Sequence, residues 1–124
     1  MRLTKKQLKE YREKFALSQE NKCSLCNVDL STVVSCLDHN HSTGQIRSVL
    51  CLNCNGIEGK IYNLARRAKR ERTPADFIKS LLKYWENWDM YPRGLLHPKH
   101  KTEEEKRESR NKKARLRNKK KKSA

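Results

Sequence analysis

The chain is short of almost everything a large core needs. Only 35% of its 124 residues are hydrophobic and 6% are aromatic, which points to one small domain with accessories. No apolar run approaches the roughly 20 residues that cross a bilayer. The first twenty residues are charged throughout and lack the apolar segment of a secretory signal. A soluble intracellular protein is expected, a setting in which disulfide frameworks are rare. Acidic residues are scarce too: fourteen Asp+Glu against thirty Lys+Arg leave a net charge of +16. That balance costs self-repulsion unless a polyanion relieves it. Residues 99–124 hold thirteen Lys+Arg and four Glu, giving +9 and leaving +7 for residues 1–98, so both regions attract anions. Nucleic acid is the natural counterpart. An acidic membrane surface is the weaker alternative, because the chain lacks a lipidation signal and its basic tail lacks interleaved aromatics.

Against this background, two Cys-x-x-Cys knuckles stand out, Cys23/Cys26 and Cys51/Cys54. Four soft thiolates in two pairs suit a closed tetrahedral zinc site. A redox site would use one such pair in a parallel sheet, and disulfides would need an oxidising compartment. A structural metal also answers the shortage of core, because small zinc sites contribute apparent folding free energies of roughly 10–16 kcal/mol. Cys36 has no place in a complete tetrad and is expected to be a small buried strand residue.

Local patterns set the order of elements. Residues 3–20 read as a helix, with Thr4 as N-cap, Gln7 completing a capping box, and Leu3 and Leu8 as a staple. Val33 to Leu37 and Gln45 to Leu50 read as strands around the turn Ser42-Thr43-Gly44. Asn55 to about Arg72 resumes helical periodicity and closes in the basic run Arg66, Arg67, Lys69, Arg70 and Arg72. Thr73-Pro74-Ala75-Asp76 is a strong helix start. The helix it opens carries Phe77, Ile78, Leu81, Leu82, Trp85 and Trp88, so it is expected to cover the hairpin or pack against a second copy of the chain. The expectation is a small α+β protein with a zinc-stapled ββα core, residues 1–98 with flanking helices, and a basic tail, 99–124, that is disordered or helical on DNA.

Between the knuckles, Asp38-His39-Asn40-His41 puts a hard oxygen donor beside imidazoles, and Asn55 adds a neutral oxygen donor directly after Cys54. Such oxygens suit magnesium or manganese, whereas four sulfurs claim zinc. The run Cys23-Ser24-Leu25-Cys26, then Leu37 to Gly44, then Ile46-Arg47, then Leu50 to Asn55, resembles the phage recombination endonuclease VII family, within the His-Me finger (ββα-metal, HNH-like) nucleases. The resemblance spans about residues 22–60, and Leu96-His97-Pro98 is similar to a weaker later motif. Ser48 stands where relatives usually carry glycine.

The resemblance implies Asp38 and Asn55 as ligands of a catalytic divalent metal, His39 as general base, His41 as a contact to the scissile phosphate and Glu58 as an assisting acid. It implies hydrolysis that leaves 5′-phosphate and 3′-hydroxyl ends, branched DNA as substrate, a homodimer, and the cytoplasm of a phage-infected bacterial cell. Arg47, Arg66, Arg67, Lys69 and Arg70 are the expected DNA contacts. Two other readings stay open: a nicking or homing-type nuclease of the same fold, and a non-catalytic zinc-ribbon nucleic-acid binder.

Overall fold

A computed structural model describes residues 1–68 and 70–123; the expected DNA contact Lys69 lies outside them. The element order is α1 (Lys5–Ser18), β1 (Ser35–His39), β2 (Ile46–Cys51), α2 (Leu52–Arg66), α3 (Pro74–Met90) and α4 (Glu103–Ser123). They fall into two compact units, one from Met1 to Lys83 and one from Tyr84 onward.

Helix α1 starts where its cap demands. The Gln7 amide donates to Thr4 Oγ1 at 3.3 Å and the Thr4 amide donates to Gln7 Oε1 at 2.9 Å, which completes the capping box. Its end is set by two residues in the left-handed region, Glu20 (φ 56°) and Asn21 (φ 58°). The Glu20 and Asn21 amides return to the Leu17 and Ala16 carbonyls at 3.1 and 2.7 Å, the paired closure of a Schellman turn without its usual glycine.

β1 and β2 form an antiparallel ribbon in which Ser35 pairs Cys51, Cys36 pairs Leu50 and Leu37 pairs Val49, but His39 pairs Ile46. Two residues of β2, Arg47 and Ser48, therefore oppose the single residue Asp38, which is a β-bulge. Ser48 holds this bulge without a positive φ, so the usual glycine is not needed here. β1 also runs two residues later than the sequence pattern suggests, and so includes Asp38 and His39. The loop beyond is fixed by Asn40, whose Oδ1 accepts from the Ser42 and Thr43 amides at 2.8 and 3.1 Å. Gly44 closes it at φ 76°, a conformation that costs glycine nothing.

α2 begins at Leu52, three residues before its periodicity is legible, because Cys51 acts as the N-cap: its Sγ accepts from the Cys54 amide at 3.4 Å. The helix stops at Arg66, and Arg70 (φ 84°) and Glu71 (φ 58°) turn the chain toward α3. Thr73 caps α3 as expected, accepting from the Asp76 amide at 3.1 Å. Of the two partners expected for α3, the hairpin is not the one it covers. α1 and α2, not α3, flank the ribbon, and no residue of α3 is buried; Arg70 and Glu71 redirect the chain so that the start of α3 faces α2. There Pro74, Ala75 and Ile78 line an apolar groove of about 700 Å³ with Ile57, Ile61 and Ala65.

The core is very small. Val49 is fully buried, with Ala16, Cys23, Leu30, Leu50 and Cys51 around it and Phe15, Val28, Leu37 and Cys54 packed against them. Burying a side chain such as Val49 stabilises by about 1.5–3 kcal/mol, while each ordered residue costs on the order of 1–2 kcal/mol in backbone entropy. So few buried groups leave the fold dependent on the cysteine cluster at their centre. Gln19 supplies the missing neighbour of β2: its Nε2 donates to the Val49 carbonyl at 2.9 Å and its Oε1 accepts from the Val49 amide at 2.8 Å. Gln19→Leu leaves the Val49 amide without this partner beside the core, and its carbonyl with the longer bond from the Ser24 amide at 3.5 Å. The expected cost is about 1–3 kcal/mol, read as a lower urea midpoint at constant slope; an unchanged midpoint would remove Gln19 from this role.

Candidate active site and metal centre

The four knuckle cysteines converge. Their Sγ atoms all lie within 4.8 Å of one another, and those of Cys26 and Cys51 are 3.8 Å apart. A tetrahedron with metal–sulfur bonds of about 2.3 Å has edges of roughly 3.8 Å, so the cage fits a zinc-like ion. Local structure explains the convergence. In the first knuckle the Asn27 amide returns to the Cys23 carbonyl and the Cys23 amide to the Val28 carbonyl, each at 3.0 Å, with Asn27 left-handed at φ 65°. In the second, Cys51 caps α2 and Cys54 lies in its first turn.

Backbone donors also prepare the sulfurs for charge. The Cys51 amide points at Cys23 Sγ at 3.4 Å. Burial opposes ionisation of Cys23, but the amides of Cys26, Cys51 and Leu25 outweigh it and bring the thiol down to about 6. Cys54 moves the other way, to about 12, because hydrogen bonds to Cys51 and Cys26 and then burial hold its proton. Cys23 thus favours its thiolate and Cys54 its thiol, and a dication bound by Cys54 must expel that proton. Among the described residues this is the one cluster of three or more metal-binding side chains. Cys36 is half-buried in β1, outside the cluster.

The second centre is built on the bulge. Asp38 is 6% exposed, and its Oδ2 accepts from Arg47 Nε at 2.6 Å. The other arm of the guanidinium, Nη2, reaches Glu58 Oε2 on α2 at 3.1 Å. The hydrogen bond to Asp38, with the charge of both carboxylates, holds the Arg47 cation more firmly against burial. Arg47 thereby ties the ribbon to α2. Asn55 is half-buried in the first turn of that helix, one turn before Glu58 and on the same face.

Strand alternation turns Asp38 inward and His39 outward. His39 is exposed at the end of β1, with its ring centroid 4.7 Å from that of His41 at 52°. A mixed surface pocket beside His39 is lined by Arg2, Leu3, Leu8 and the loop 43–46. Arg66 and Arg67 lie exposed at the end of α2, and Arg70 is exposed in the turn after it. Sequence reasoning missed Asn40 as the organiser of the His-x-His loop and Gln19 as the partner of β2. The first was legible as an Asn two residues before a Ser-Thr-Gly turn. The second carries no local signal.

Arg47 offers a direct check. Arg47→Met strips the cation from a buried carboxylate at nearly constant volume. The expected destabilisation is about 1.5–3 kcal/mol, the range for hydrogen bonds to charged groups; it falls below that of a fully buried pair because Arg47 is 39% exposed. Chemical denaturation measures it, and a variant as stable as the parent would show that the bridge does not hold α2 to the ribbon.

These features define a small α+β protein whose ββα unit is stapled at its base by a four-cysteine cluster. A family model described as recombination endonuclease VII matches residues 1–87, and the chain belongs to that family. Membership makes it a recombination nuclease by family, with DNA as the implied substrate. No helix among the described residues is long and apolar enough to cross a membrane.

Proposed function

We propose that the chain is a structure-selective DNA endonuclease that resolves branched DNA, four-way junctions in particular, and leaves 5′-phosphate and 3′-hydroxyl ends. The observation that carries the reading is the bulged end of β1, where exposed His39 stands beside His41 and immediately after the buried carboxylate of Asp38. An imidazole open to solvent can take a proton from the attacking water. His41, on the same exposed loop, is the contact to the scissile phosphate.

The donor set fits a hard divalent cation. Asp38 offers Oδ1, since among the described residues only Oδ2 is hydrogen-bonded, and Asn55 offers its amide oxygen. When bound, magnesium or manganese would supply Lewis-acid stabilisation of the phosphate and the leaving oxygen. Arg47 and Glu58 fix the carboxylate's angle from behind. Two copies of the chain would bring two such centres to opposing strands of one junction.

A junction and a linear duplex of equal length, each given to the zinc-loaded chain with magnesium, separate this reading from its nearest rival. Preferential paired nicking of the junction supports it. Equal cutting of both substrates makes the chain a non-selective nuclease of the same fold instead.

A further inference from the structure

Helix α4 buries nothing, yet its sequence supplies every local signal needed to form it. Thr102 caps it, accepting from the Glu105 amide at 3.1 Å. Glu103, Glu104 and Glu105 occupy the first turn and Lys120, Lys121 and Lys122 the last, matching the helix dipole at both ends. Glu103 also pairs with Lys106 at 3.2 Å. A helix stabilised by its own cap and charges serves as a rigid carrier of whatever its surface displays. From Arg110 to Lys122 that surface holds nine Lys+Arg and no acid.

The arrangement of these cations is the informative part. At about 100° per residue, Arg110, Lys113, Arg117 and Lys120 fall on one stripe, lining a shallow surface around Leu116. Lys112, Arg115, Lys119 and Lys122 fall on a second stripe, roughly 160° away around the axis. The edge between the stripes carries Asn111, Ala114 and Asn118, with Arg107 and Lys121 at its two ends. A helix that lies on a charged plane needs cations on one side only. One with cations on two opposite sides needs anions on two opposite sides.

We infer that α4 inserts into the major groove of duplex DNA, with one stripe against each phosphate wall and Asn111, Ala114 and Asn118 toward the base edges. The dimensions agree. A helix with its side chains is about 10–12 Å across, and the major groove of B-DNA is roughly 12 Å wide with a phosphate strand on either side. Residues 110–122 span about 20 Å, enough to follow the groove for half a turn. Alanine is small enough to let the backbone approach the groove floor, and asparagine can pair with adenine there. A lipid surface is the poorer partner, because Ala114 and Leu116 are the only apolar residues of this segment and lie on different sides. DNA as the partner rests on the nuclease reading above, whereas the groove and the contacts do not depend on the catalytic residues.

Fluorescence anisotropy of the full zinc-loaded chain with a short DNA duplex, without magnesium and over a salt series, tests this. Eight neutralised phosphates contribute roughly −7 to the slope of log K against log salt. Replacing either stripe of four by Gln should flatten the slope by about 3–4, with helicity by circular dichroism retained. Methyl green, a major-groove ligand, should compete, and an A-form RNA duplex, whose major groove is too narrow and deep to admit a helix, should bind more weakly. Asn111→Ala with Asn118→Ala should leave the slope unchanged. A slope that responds to only one stripe, competition by a minor-groove ligand alone, or RNA duplex bound as tightly as DNA would overturn groove insertion. Loss of cleavage in His39→Ala with these slopes intact bears on the catalytic reading alone.

Discussion

Stripping zinc from the cysteine cluster should unfold the ββα unit. The six residues of the buried core include Cys23 and Cys51, and Cys54 packs against them, so the cluster and the core are one object. Apparent metal contributions of roughly 10–16 kcal/mol in small zinc sites match or exceed the whole stability of a typical domain, about 5–15 kcal/mol. Chelation, or Cys51→Ser, should therefore abolish cooperative melting of α1, the ribbon and α2. Cys51→Ser isolates the loss of the metal ligand, because a serine hydroxyl can take over the cap that Cys51 Sγ provides to the Cys54 amide. Helix α4, formed by its own cap and charges, should survive as residual far-ultraviolet signal. Metal analysis giving one zinc per chain and a melting transition lost on chelation are the expected results. A transition that chelation leaves in place would show that the apolar contacts suffice alone.

His39→Ala should suppress junction cleavage by about 10²–10⁴-fold, the usual contribution of a positioned general base. In barrier height this is roughly 3–5.5 kcal/mol. Because His39 is exposed, its stability should stay within about 0.5 kcal/mol of the parent, so the loss cannot be blamed on folding. Asn55→Ala should act differently, shifting the magnesium concentration needed for half-maximal rate upward, since its amide oxygen is proposed as a ligand rather than a base. Single-turnover rates over a magnesium series separate the two. A His39→Ala protein that cuts at the parent rate would remove this residue from the chemistry, and an unchanged magnesium dependence in Asn55→Ala would remove that one from the metal.

The parts legible in the sequence are those written in local signals. Thr4 with Gln7 and Thr73 with Asp76 announce the starts of α1 and α3, and both caps form. Paired knuckles announce the four-sulfur cage, since spacing alone determines which ligands can meet. The parts that stayed hidden depend on tertiary partners. Cys51 caps α2, which thiol chemistry permits but propensity does not suggest, so the helix starts three residues before its apolar period does. Asp38 and His39 join β1 only because His39 pairs with Ile46 across the bulge at the start of β2. The Arg47 bridge to Asp38 and Glu58 joins residues nine and eleven apart through a bulge that no local pattern encodes. The apolar face of α3 left two partners open, because amphipathicity shows that a helix has something to cover, but not what. For Asp38, His39 and Asn55, the residue types suggested the chemistry while the bulge and the first turn of α2 set their positions.

The most direct measurement is of the products. Zinc-loaded chain, magnesium and a labelled four-way junction should give paired nicks in opposing strands, and DNA ligase should reseal them, because each nick carries a 5′-phosphate and a 3′-hydroxyl. A junction that is bound but left uncut with every divalent ion tried, or nicks that ligase cannot seal, would contradict hydrolysis at the site formed by Asp38, His39 and Asn55.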